Sequence, residues 1–188
     1  PYMAVITAVD ADHLDIYGTH EAYLESFAHF TSLIREDGCL IVKKDIALQP
    51  RLGKNVKLYT YSATEKADFY AKNVRVGNGT IIFDFVTPTE TISDIELGVP
   101  MLVNVENSVA AMALAWLNGV TANELRNGMK SYAGIRRRFE TWLKTDHLTI
   151  IDDYAHHPAE VEASIKSVKA LYADKKVLGV FQPHLYTR

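Results

Sequence analysis

Cysteine is almost missing from this chain. Its 188 residues hold one, Cys39, so no internal disulfide can form, and a structural zinc site built on thiolates has no ligand set. That usage fits a reducing compartment, and the cytoplasm is expected. Long apolar runs are missing as well: none approaches the roughly 20 residues that cross a bilayer, which excludes a helical membrane protein. The net charge of −3 gives the chain no general pull toward nucleic acid. No charged leader precedes the apolar Met3-Ala4-Val5-Ile6, and the chain stops in a polar stretch, Gln182 to Arg188. Both ends read as cut, and a fragment of a longer protein is expected.

What is present is ordinary for a globular protein, with 48% hydrophobic and 23% charged residues. A chain of this length can bury roughly 70% of its unfolded surface and build a core without staples. Residues 3–7 form a short, β-branched apolar run, and Cys39-Leu40-Ile41-Val42 a second. Between them Tyr23, Phe27, Phe30 and Ile34 recur at helical spacing. Strand, helix, strand at this separation predicts a βαβ unit and a parallel sheet. Residues 56–61, 68–76 and 80–86 alternate instead, with Gly77-Asn78-Gly79 before the last, a hairpin signal. An antiparallel patch is expected between about 55 and 100.

Helices return at Asn107–Asn118, almost without a polar face and so expected to be largely buried. A second follows at Thr121-Ala-Asn-Glu124, which has the spacing of a capping box. After Gly134 the chain restarts through Arg136-Arg137-Arg138 and strand-like Thr141-Trp142-Leu143, then Leu148–Ile151. Pro158 suits the first turn of a helix through about Ala173, with Val161, Ile165, Val168 and Tyr172 as its apolar face, and Val177–Phe181 reads as a buried strand. The expected class is α/β: a mainly parallel sheet with an antiparallel patch over residues 1–134, then the start of a second, Rossmann-like domain over 135–188.

Several constellations can carry chemistry. Asp12-His13-Leu14-Asp15 lies just past a predicted strand, where open α/β sheets bind ligands. Its carboxylates suit Mg²⁺ and its imidazole Mn²⁺ or Zn²⁺, although a loop-ordering cap is the more ordinary use of such residues. Asp152-Asp153-Tyr154-Ala155-His156-His157-Pro158 joins a strand to a helix N-terminus, a natural anion site holding acid, base and ligand capacity in six residues. Three adjacent arginines, 136–138, suit phosphate or carboxylate; in an extended strand Arg136 and Arg138 would share one face and Arg137 the other. Gln182-Pro183-His184-Leu185-Tyr186-Thr187-Arg188 follows the last strand-like run. Asn104 and Asn107 flank the start of the Ala-rich helix, as caps or as carboxamides reading a purine edge. His20, His29 and His147 are read as structural.

Together these strings resemble the Mur ligase family. The likeness runs through Val5-Ile6-Thr7 to Asp12-His13-Leu14-Asp15, Asn104-Val-Glu-Asn107, Gly134-Ile-Arg-Arg-Arg-Phe-Glu140, Asp152-Asp-Tyr-Ala-His-His-Pro158 and Phe181-Gln-Pro-His184. The resemblance implies an ATP- and Mg²⁺-dependent amide-bond-forming ligase of cell-wall precursor synthesis. Most closely it implies one that joins L-alanine to UDP-N-acetylmuramate through an acyl phosphate, with neither nucleic acid nor membrane as partner. On that map residues 1–134 are the latter part of a central ATP-binding domain and 135–188 the first part of a C-terminal one. The phosphate loop lies upstream, so the fragment alone is expected to be inactive.

Carried over by position, His13 corresponds to a metal ligand (Mg²⁺, with Mn²⁺ possible in its place), Asn104 and Asn107 to adenine contacts, Arg138 to a nucleotide-binding arginine and Asp152 to a ribose contact. Tyr154 and His156 would line the substrate side as catalytic residues, with His184 and Arg188 binding substrate. Three positions depart from the family pattern: Ala8 replaces a common Asn, Val103 a common His and Leu185 a common Arg. A relative that attaches a preformed peptide to the same sugar nucleotide shares several motifs, and a metal-dependent hydrolase built on Asp12, His13 and the 152–157 turn is the reading from another class.

Overall fold

A computed structural model describes residues 1–11 and 14–182. Six strands are hydrogen-bonded in chain order: β1 (Met3–Ile6), β2 (Cys39–Lys43), β3 (Lys57–Ser62), β4 (Phe69–Gly77), β5 (Thr80–Val86) and β6 (Thr91–Glu96). The pairs β1–β2, β2–β3 and β3–β4 are parallel, with Met3 beside Cys39, Cys39 beside Lys57 and Tyr61 beside Phe69. The expected βαβ unit is therefore present, its crossover made by α1 (Leu14–Tyr17) and α2 (His20–Ser32). β2 is flanked on both edges, and its Leu40 and Ile41 are fully buried, as a continuous apolar run in a parallel sheet requires. The antiparallel patch starts at β4, not at residue 55, because β3 pairs parallel with β2. Two residues link β4 to β5, and a connection that short joins only antiparallel strands. Asn78 and Gly79 both take positive φ, 52° and 68°, the conformation of a type I′ turn that matches strand twist.

By contact density the described chain falls into two compact units. The first comprises Pro1–Lys72, Phe85–Thr91 and Asn107–Val120. In its core Ala4, Ile6, Val9, Ile34, Leu40 and Val42 pack together, with Leu24 and Phe27 of α2 against them. A second knot is aromatic: the Phe69 ring lies 5.6 Å from Tyr59, 6.0 Å from Phe85 and 5.7 Å from Trp116, within the range that favours ring pairs.

The second unit comprises Asn73–Asp84, Ile92–Glu106 and the chain from Thr121 onward. It holds α4 (Ala122–Ser131), β7 (Glu140–Lys144), β8 (Thr149–Asp152) and α5 (Pro158–Leu171). The capping box on α4 forms as the spacing predicts, Thr121 Oγ1 accepting from the Glu124 N–H while Glu124 accepts from the Thr121 N–H. The hairpin tip is fastened here: the Gly79 N–H donates to the Leu171 carbonyl at 3.0 Å, and Lys144 Nζ to the Gly79 carbonyl at 3.3 Å.

Asp84 is 8% exposed and accepts from Asn73 Nδ2 at 2.7 Å and from the Asp94 N–H at 3.1 Å. Asn73 and Asp94 both have φ in the left-handed region, so one carboxylate ties down two strained positions on β4 and β6. Asp84→Ala would strand both donors and should lower stability by about 2 kcal/mol, read as a lower urea midpoint at unchanged slope.

Three expectations are corrected. The Ala-rich helix, α3, runs Leu102–Leu117 and starts five residues early, so Asn104 and Asn107 are interior positions and not caps. β8, expected as a buried strand ahead of the 152–157 turn, pairs among the described residues only with β7, antiparallel, and Ile150 is 43% exposed. Residues 177–181 form no strand, and Val180 is 95% exposed. An apolar run becomes a buried strand only where a ladder and two covered faces are offered, and here Val177, Leu178 and Val180 instead line a cavity of about 860 Å³ with Val161, Ile165 and Val168 of α5. That cavity is why Ile165 is 46% exposed on a stripe expected to be buried. The buried positions of α5 are Ser167 and Leu171. No described helix is long and apolar enough to cross a membrane.

Candidate functional site

Two turns of the second unit build the site. The first is the arginine triplet. It is a turn and not an extended strand: the Arg138 N–H donates to the Ile135 carbonyl at 3.1 Å, and Arg137 and Phe139 take φ of 59° and 52°. Phe139 is the anchor, 2% exposed, and burying its ring while Glu140 enters β7 forces the chain to coil. Glu140 stabilises that coil by accepting the Arg137 N–H at 2.8 Å. This hydrogen bond, followed by one from Trp142, holds the Glu140 carboxyl below its ordinary pKa. The extended strand that would put Arg136 and Arg138 on one face and Arg137 on the other therefore does not form.

The second turn, residues 153–157, carries the chain from β8 into α5. The Tyr154 N–H donates to the Arg137 carbonyl at 2.7 Å and stitches the two turns together. The Tyr154 ring then receives the Arg137 guanidinium at 4.6 Å, the Arg138 guanidinium at 6.0 Å and the His156 ring at 5.1 Å. Cations over an aromatic face are attracted by its quadrupole, so the tyrosine gathers two positive charges and an imidazole at one place. Asp153 is engaged by Ser164, whose Oγ–H donates to its carboxylate. Asp152 ends β8 directly opposite Glu140 in the strand register.

Glu160 is the third residue of α5, where a negative charge suits the helix dipole. It does more. Its Oε2 accepts the His156 N–H at 3.1 Å and the His157 N–H at 3.2 Å, and it lies 3.6 Å from His156 Nδ1. His157 is the N-cap of α5 and Pro158 follows it at the helix start. The Glu160 carboxyl is held below its ordinary pKa first by the His156 N–H, then by the His157 N–H and the charges of His156 and Arg138, against a burial contribution that raises it. A carboxyl whose folded pKa is lowered stabilises the fold above its unfolded pKa and loses that contribution as pH falls, so acidification should loosen this turn. The sequence signal was available: His157 to Glu160 has capping-box spacing, though with an imidazole where Ser or Thr is usual.

Of the expected site residues, the structure brings Arg138, Tyr154 and His156 together and adds Arg137 and Glu160. Asp152 adjoins them on β8. Asn104 and Asn107 are one turn apart on α3, and Asn104 Nδ2 donates to the Val99 carbonyl at 3.1 Å. His13, His184 and Arg188 lie outside the described residues, as does Asp12. Among the described residues no three His, Cys, Asp or Glu side chains gather at metal-binding spacing.

Known family models match most of the chain. The family model of the Mur ligase middle domain matches residues 1–115, and that described as the Mur ligase glutamate ligase domain matches residues 137–187. Over its whole length the chain is 66% identical to a UDP-N-acetylmuramate–L-alanine ligase of Parabacteroides distasonis, of which it covers 41%. Among solved structures it superposes on a UDP-N-acetylmuramate–alanine ligase of Thermotoga maritima with a TM-score of 0.82 at 22% identity, over 97% of this chain and 41% of that one. A complex described as FPGS with AMPPCP gives 0.72 at 18%, over 93% of this chain and 44% of the other. These two likenesses speak for the fold, which is α/β with a mainly parallel sheet and an antiparallel patch. The chain spans about 41% of the length of the curated relatives it matches. With a middle-domain match over more than half of its residues, the chain belongs to the Mur ligase family.

Proposed function

We propose that the protein carrying this chain is an ATP-dependent ligase that forms an amide bond between L-alanine and the carboxylate of UDP-N-acetylmuramate, in the cytoplasm, as a step of peptidoglycan precursor synthesis. The observation that carries the reading is the 66% identity, unbroken over the chain, to a relative named for that reaction. A carboxylate is a poor electrophile, and phosphorylation by ATP supplies it with a leaving group. What remains for the protein is positioning and the neutralisation of developing charge. The Arg138 guanidinium near Tyr154 suits the second task, and His156 beside the same ring suits proton traffic.

On this reading Asn104 and Asn107 contact adenine, Arg138 the nucleotide's phosphates and Asp152 its ribose. Tyr154 and His156 face the reacting groups, His184 and Arg188 bind substrate, and His13 helps hold Mg²⁺ or Mn²⁺. Residues 1–134 then belong to a central ATP-binding domain and 135–188 to the first part of a C-terminal one, a division supported by family matches that stop at 115 and resume at 137. The full-length protein should release ADP only when UDP-N-acetylmuramate and L-alanine are both present. ADP release that needs a tripeptide in place of alanine would move the assignment to the peptide-attaching branch.

A further inference from the structure

Glu160 has no part in the roles given above, and the geometry around it asks for one. A helix cap explains its bond to the His157 N–H. It does not explain why the same oxygen also takes the His156 N–H and lies 3.6 Å from the His156 ring nitrogen Nδ1. That nitrogen is 3.0 Å from the Tyr154 carbonyl oxygen. A carbonyl oxygen only accepts, so Nδ1 carries a proton, and in the neutral ring the lone pair then belongs to Nε2. A carboxylate beside a protonated Nδ1 favours that tautomer and the imidazolium that follows from it. This is how a carboxylate orients a histidine base in hydrolytic triads.

We propose that Glu160 is a positioning residue, which holds His156 with its proton on Nδ1 so that Nε2 takes up the proton released by the acceptor amine. The proposal rests on the ligase reading. In the step it describes, the amine nitrogen's lone pair forms a C–N bond to the acyl carbon, and the C–O bond to phosphate breaks with its electron pair leaving on the phosphate oxygen. One N–H proton passes to Nε2. The imidazolium so formed lies against the Glu160 carboxylate. The Tyr154 ring lies against the imidazole, with the Arg137 and Arg138 guanidinium groups over that tyrosine, and His157 is next in the chain. The two arginines oppose a positive imidazole, which makes a carboxylate on the α5 side necessary. Asp153 is engaged by Ser164.

Glu160→Gln is the test in the full-length protein, because glutamine keeps an oxygen for both backbone N–H groups and removes only the charge. The kcat should fall by about tenfold with the KM values for ATP and the sugar nucleotide unchanged, and ¹⁵N spectra of the His156 ring should show the Nδ1-protonated tautomer giving way to a mixture. His156→Gln should lose a similar factor, and adding Glu160→Gln to it should cost nothing more, since a residue acting only through His156 has no effect once His156 is gone. Additive losses, or a variant with unaltered kcat and tautomer, would overturn the proposal and leave Glu160 as a cap. An unaltered protein without alanine-dependent ADP release would overturn the ligase reading instead, while the ring spectra would still decide whether Glu160 sets the tautomer.

Discussion

Replacing Gly98 by alanine is expected to lower the unfolding free energy by about 3 kcal/mol, near the top of the usual range for overpacking. Gly98 follows β6, where the chain meets the end of α4, and its N–H donates to the Met129 carbonyl at 2.9 Å. A Cβ there would overlap the Tyr132 carbonyl oxygen and come within 2.8 Å of that of Lys130. These are backbone atoms, so no side chain can swing aside to make room. Either the strand exit or the helix end must move, and the Gly98–Met129 hydrogen bond and the 2.8 Å ion pair between Lys130 and Glu96 are lost with it. Gly128, inside α4 and six residues after its first residue Ala122, is the internal control. Nothing lies within 4 Å of a Cβ placed there, so Gly128→Ala should raise stability by about 0.5–1 kcal/mol through helix propensity alone. Two glycine-to-alanine changes near the same end of α4 should thus move the urea midpoint in opposite directions. A falling midpoint for both would mean that α4 itself does not tolerate alanine.

Neither glycine announces this difference in the sequence. What could be read there was whatever local chemistry decides. The β1–α2–β2 unit follows from apolar spacing, the Asn78-Gly79 turn from the need for two positive φ values, and the α4 cap from the Thr121–Glu124 spacing. Pro158 marks the start of α5 because its missing N–H costs nothing there. Each of these elements is settled by residues near it in the chain.

The misses share the opposite property. The arginine triplet was expected to alternate as a strand, but the burial of Phe139 and the bond from the Arg137 N–H to Glu140 coil it into a turn, and burial is a tertiary fact. Val177–Phe181 has strand composition, yet composition does not supply a neighbouring ladder. Asn104 looked like a cap because the Ala-rich run starts after it, while α3 begins at Leu102, where Ser167 Oγ of α5 accepts its N–H at 3.1 Å. The site shows the same division. Tyr154 and His156 were legible as a crowded strand-to-helix turn, but the convergence of Arg137, Arg138 and Glu160 on them needed the Arg137–Tyr154 backbone bond. That contact spans 17 residues and has no local signature.

That backbone bond also gives two neighbouring arginines different surroundings. Arg138→Ala in the full-length protein should weaken ATP binding by about 30-fold, the value of one charge-assisted contact of roughly 2 kcal/mol. Arg137→Ala should change it by less than about threefold and should instead lower stability by about 0.5–1 kcal/mol, the cost of a lost cation–π contact. Arg137 is occupied three times over: its N–H by Glu140, its carbonyl by Tyr154, and its guanidinium by the Tyr154 ring at 4.6 Å. Moving that group to a phosphate would uncover the ring that holds the turn. Arg138 stands farther from the ring, at 6.0 Å, and its charge reaches Glu160, a carboxylate already shared between two backbone N–H groups. It can therefore turn to a phosphate without dismantling anything. Titration calorimetry on both variants separates the two roles: the opposite order of ATP affinities would mean that the ring, and not the carboxylate, lets its arginine go.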